Sequence, residues 1–111
     1  MHWRQTFDIN HTYVIIEMSY PDRGNASRRY RRKDIQAPSL IDAWSKFEHT
    51  PAADIASDMD FDLEKVRQDD RKFIRGMSDN LDNEEFTYYI LKDGVRLYGR
   101  NSTLREFKVT L

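Results

Sequence analysis

Residues 12–20 read Thr-Tyr-Val-Ile-Ile-Glu-Met-Ser-Tyr, and this run decides the fold. β-Branched and aromatic side chains dominate it, and such residues pack well on a pleated surface. Successive side chains of a strand point to opposite faces. Val14, Ile16, Met18 and Tyr20 therefore share one face, while Tyr13, Ile15, Glu17 and Ser19 share the other. Upstream, Trp3, Phe7 and Ile9 fall on one parity and predict a short strand, with Asn10 and His11 as a turn or bulge. Downstream, Pro21-Asp22-Arg23-Gly24-Asn25 is turn chemistry, and residues 27–36 return as a strand ending in Ile35.

Beyond that hairpin the period changes. Ala37-Pro38-Ser39 precedes Leu40, Ala43, Trp44 and Phe47, which recur at i, i+3, i+4 and i+7 and predict a helix ending near His49. Ser39 is placed to cap it, with Asp42 completing a capping box. Thr50-Pro51 predicts a second start, with Thr as the cap and Pro in the first turn. Ile55, Met59, Leu63, Val66, Phe73, Ile74 and Met77 then continue at helical spacing. Residues 51–77 fit one long helix, or two broken near Asp58 to Asp60, stopped by Gly76 and 78–80. Residues 86–91 and 95–98 form a hairpin around Asp93-Gly94, and residues 104–111 alternate as a last strand.

The expected fold is α+β. An antiparallel sheet of about four to six strands carries one or two helices inserted between N- and C-terminal hairpins and packed on one face. At 111 residues a single domain, 1–111, is expected. Six Tyr, six Phe and two Trp supply apolar area for a core despite a charged content of 33%. No cysteine is present. That removes disulfides, thiolate metal sites and thiol nucleophiles, and it favours a cytoplasmic location. The polar start and an apolar run no longer than Tyr13 to Ile16 give neither a signal peptide nor a membrane span.

Net charge is −1, but it is unevenly spread. Residues 1–50 hold eight basic and six acidic side chains, residues 51–85 five and eleven, and residues 86–111 five and two. Such separation orients partners even when the sum is near zero. Within 51–85, Asp58, Asp60, Asp62 and Glu64 alternate like the start of a calcium loop. Leu63 stands where that loop needs Gly, and Asp69 where it needs a bidentate Glu, so helix starts are the better account. Arg67, Arg71 and Arg75 predict a basic ridge at i, i+4 spacing.

Catalytic patterns are sparse. His2, His11 and His49 lie far apart, and neither a Gly-x-Ser-x-Gly elbow nor a Walker loop occurs. Glu106-x-Lys108 with Asp93 is a poor match to a metal-dependent nuclease, since a metal site needs two convergent carboxylates. No catalytic residue, metal site or small-molecule cofactor is therefore expected.

The one concentrated feature lies between Arg23 and Lys33. Arg23, Arg28, Arg29, Arg31, Arg32 and Lys33 surround Tyr30 with no anion among them. Guanidinium groups pair with phosphates and a ring stacks on a base, so nucleic acid is the slightly favoured of two nearly tied partners. An acidic protein surface is the other, and a homodimer through strand edges is a third. The plain structural reading is an edge strand whose charges block unwanted pairing. The functional expectation is a small non-catalytic binding protein docking this basic hairpin onto an anionic partner. Tyr88 and Tyr89 are adjacent, so one ring is expected to face outward wherever helices are missing.

Overall fold

The computed structural model describes residues 9–19, 29–83 and 85–99, with backbone alone at 78–80. Arg23, Arg28, Glu106, Lys108 and the strands expected over 3–9 and 104–111 lie outside these residues, Ile9 excepted. The described chain runs β1 (His11–Ser19), β2 (Arg29–Ala37), α1 (Leu40–Glu48), α2 (Ala52–Asp58), α3 (Leu63–Gln68), α4 (Asp70–Leu81), β3 (Phe86–Lys92) and β4 (Val95–Tyr98). The four strands form one antiparallel sheet in the order β2-β1-β3-β4. The class is α+β, with the helices packed on one face of the sheet. Among the described residues, no helix is long and apolar enough to cross a membrane.

β1 is central, which explains why both of its faces are apolar. Tyr13 and Ile15 join Ile35, Ala37, Tyr88 and Ile90 beneath the helices, where Leu40, Trp44, Phe47, Phe73 and Met77 meet them. Ile16 and Met18 point the other way and form a second buried cluster with Tyr89, flanked by Val14, Tyr30 and Leu91. Tyr89 is therefore no outward platform. It is 1% exposed, and Gly99 lies so close that a Cβ there would stand 2.3 Å from the ring. Gly99 also has φ 104, a second reason for its identity.

The helical region departs from the sequence expectation in number and in ends. Residues 51–77 make neither one helix nor two but three, because two aspartates cap new starts inside the run. Asp60 turns left-handed at φ 59, and Asp62 then caps α3 by accepting from Glu64 N and Lys65 N. Asp69, extended at φ −138, closes α3 and caps α4 through Arg71 N and Lys72 N. The break between helices also dissolves the basic ridge: Arg67 sits on α3, and Arg71 and Arg75 sit on α4. Gly76 does not stop α4, which runs on to Leu81. It is there because the Phe61 ring presses on it, with Cζ 1.7 Å from where a Cβ would be. α1 begins as expected with Ser39 accepting from Asp42 N, whereas α2 starts one residue late, at an N-cap Pro51 without a side-chain cap. The β3–β4 turn is the expected one, with Asp93 and Gly94 both at positive φ.

Candidate functional site

β2 lies at the edge of the described sheet, so one of its sides pairs with β1 while the other has no described strand beside it. Arg29, Arg31 and Lys33 share the face of Ile35 and Ala37, the helix side. Tyr30, Arg32 and Asp34 share the opposite face. The basic run is thus split between two faces, and its members have different surroundings.

Arg31 is held by its own protein. Its cross-strand neighbour is Glu17, which accepts from Nε at 3.2 Å and from Nη2 at 3.1 Å. Nη2 also reaches Glu48 at 3.5 Å, and the guanidinium carbon lies 4.0 Å from the centre of the Phe47 ring. Glu17 in turn accepts from the Tyr88 hydroxyl at 2.7 Å. Burial first, and then that hydrogen bond to a carboxylate, push the Tyr88 phenol far above its ordinary range. The set ties β2, β1, β3 and the last turn of α1 together.

Arg32 is held more simply. Its Nε and Nη2 donate to the two oxygens of Asp34 at 2.8 and 3.2 Å, and this bond raises the guanidinium above its usual value. Tyr30 is half-buried against the second cluster, opposite Met18. Arg29 and Lys33 differ from these. Their cross-strand neighbours are Ser19 and Ile15, and no described carboxylate lies within salt-bridge distance of either.

The ends of β2 also differ. At its C-terminal end, Lys46 of α1 donates to the Gln36 carbonyl at 2.7 Å. That bond covers the strand edge there.

Other polar groups serve the fold. Asp70, at the start of α4, accepts from Tyr13 Oη at 2.7 Å, Lys92 Nζ at 2.9 Å and Leu40 N at 2.9 Å, and its side chain is only 9% exposed. Asp93 accepts from Thr12 N and bonds His11 Nδ1. The backbone bond first and the imidazole second hold its pKa below the usual carboxylate value. Among the described residues no three His, Asp or Glu side chains come together as metal ligands. A groove of about 220 Å³ beside Trp44, Glu48, Ile55 and Met59 is smaller than pockets that enclose drug-sized ligands.

No protein-family model, curated protein or solved structure matches the chain. The functional reading therefore rests on the geometry of β2.

Proposed function

We propose that this protein is a non-catalytic binding module that docks an anionic partner on β2, and that the partner is an acidic polypeptide. The observation that carries the reading is an edge strand bearing Arg29 and Lys33 without described counter-ions, either side of a neutralised Arg31. Arg23 and Arg28, which precede the strand in sequence, lie outside the described residues.

Spacing favours polypeptide over nucleic acid. Arg29 and Lys33 are four residues apart on one face, roughly 13 Å at strand rise. A polypeptide can put a carboxylate at each and remain neutral between them. A nucleic acid brings a charge with every nucleotide, and those in between meet Glu17 and Glu48. Each like-charge approach at 4 Å costs about 1 kcal/mol even in water. A homodimer through β2 is disfavoured by the same arithmetic, because two copies oppose cation to cation. The lack of cysteine supports a reducing compartment, the cytoplasm, as the place where this docking occurs.

Salt titration tests the reading. Poly-glutamate and a single-stranded oligonucleotide of matched charge are titrated against the protein over a range of salt. The expected result is tighter binding of poly-glutamate and, for the oligonucleotide, a log–log slope of about −1.4, as two engaged cations give. Preferred binding of the oligonucleotide with a slope near −4, corresponding to about six cations, would transfer the reading to nucleic acid.

A further inference from the structure

We propose that the groove between α1 and α2 receives a lysine side chain from a polypeptide partner. The aliphatic stem runs along Trp44 and Met59, and the ammonium sits between Glu48 and Asp58. This surface is separate from positions 29 and 33 and opposite to them in sign.

Local chemistry builds the groove. α1 closes at His49, which turns left-handed at φ 58, and Pro51 opens α2 two residues later. The link is pinned from both sides: Ser45 Oγ donates to the Thr50 carbonyl, and Thr50 N donates to the Ser45 carbonyl at 3.1 Å. Trp44 and Glu48 are four residues apart on α1 and so share a face. Ile55, Asp58 and Met59 recur at i, i+3 and i+4 at the end of α2. With Thr50 they line a groove of about 220 Å³. Trp44 and Ile55 are buried and Met59 half-buried, whereas Glu48 and Asp58 are exposed. The lining is therefore apolar in its depth and acidic near solvent.

The charge is one-sided. From Phe47 to Glu64 the sequence holds six carboxylates and no Lys or Arg. Asp62 is engaged as the cap of α3. Asp58 accepts no side-chain hydrogen bond and pairs with no cation among the described residues. Glu48 meets Arg31 through Oε1 alone at 3.5 Å, farther than the 3.2 and 3.1 Å bonds that Arg31 gives Glu17. Its other carboxylate oxygen stays available to a second cation.

An amphipathic cation is the occupant that satisfies both halves of this lining. Long basic side chains bury their stems and keep the charged head at a polar rim. An indole attracts a nearby cation, and a thioether adapts its shape to a stem. A purely apolar occupant would strip water from the two carboxylates without pairing them. Lysine fits better than arginine. Glu48 and Asp58 come from different helices, and a compact ammonium can be shared between two separate carboxylates, whereas a guanidinium fork matches two oxygens of one. The volume suits one side chain and is below that of sites for drug-sized molecules.

The blocked peptide Gly-Ser-Lys-Ser-Gly and its norleucine counterpart, which keeps the stem and lacks the charge, are titrated against the labelled protein. The lysine peptide is expected to shift the Trp44 indole and the amides of Glu48, Thr50, Asp58 and Met59, and the norleucine peptide to leave them in place. The double variant Glu48→Gln, Asp58→Asn should weaken lysine-peptide binding about three- to tenfold, as loss of two exposed pairs gives. Asp54→Asn with Asp60→Asn removes the same charge from the same acidic stretch outside the groove and should leave affinity within about twofold. Thermal melts report whether each variant folds, and the lysine–norleucine comparison needs no variant at all. Equal loss in the two double variants, equal binding of the two peptides, or binding of neither would overturn the proposal. So would self-association of the protein relieved by Glu48→Gln, Asp58→Asn, which would assign the groove to a second copy. The poly-glutamate titration is read separately, so none of these outcomes decides the reading of β2.

Discussion

Tyr13, Tyr88 and Tyr98 each donate their hydroxyl to a carboxylate, of Asp70, Glu17 and Asp82 respectively, at 2.7, 2.7 and 2.9 Å. In each case burial first and the carboxylate second raise the phenol's pKa, for Tyr98 to about 12. A phenol whose folded pKa exceeds its unfolded value of about 10 contributes stability that is fully present below pH 10 and lost as pH rises through the folded value. Denaturant midpoints should therefore hold up to about pH 10 and fall above it, with these three phenols ionising only as the fold is lost. Ionisation of every tyrosine near pH 10 with the circular dichroism unchanged would contradict this. Asp70 serves three donors from three elements, so Asp70→Ala should lower unfolding free energy by about 3 kcal/mol in urea melts; a loss below 1 kcal/mol would deny it that role. At this scale the sequence was half legible. The Arg32–Asp34 pair could be read from i, i+2 spacing on a strand. Arg31 with Glu17 needed a register, and Glu48 and Phe47 needed a helix docked over the strand.

Periodicity carries the elements and local chemistry carries their ends, with unequal success. β1, α1 and the β3–β4 hairpin were legible because each has a clear period bounded by strong turn or cap residues, and β2 followed from the turn chemistry before it. The middle of the chain was not, because the same aspartates that read as a charge run are caps. Asp62→Ala and Asp69→Ala should each cost about 1 kcal/mol, since each leaves helix-start amides without their acceptor. Gly76 misled for another reason: its role is tertiary. Gly76→Ala gains about 1 kcal/mol of helix propensity but must displace the Phe61 ring, so a net loss of about 1–2 kcal/mol is expected in thermal melts. Gly76→Ala combined with Phe61→Leu should recover most of that loss. A single variant as stable as the parent would show that the ring moves freely.

Across the whole molecule, the described cations of residues 29–33 divide into those paired within the fold and those that the proposed docking assigns to a partner. Arg31 and Arg32 belong to the first kind, with Glu17, Glu48 and Asp34 as their partners. Among the described residues Arg29 and Lys33 belong to the second. Composition could locate the basic run but not this division, because the neutralising acids come from β1, from α1 and from β2 itself. The edge position of β2 was equally hidden, since strand order depends on the helical crossover that carries β3 to the far side of β1.

On the proposed function, Arg29 and Lys33 on this edge hold the partner. Poly-glutamate affinity of the double variant Arg29→Glu, Lys33→Glu, compared with the parent at low salt by calorimetry, tests it most directly. A loss of tenfold or more is predicted, with unfolding free energy changed by no more than about 0.5 kcal/mol, as for exposed substitutions. Undiminished affinity in a folded double variant would contradict it.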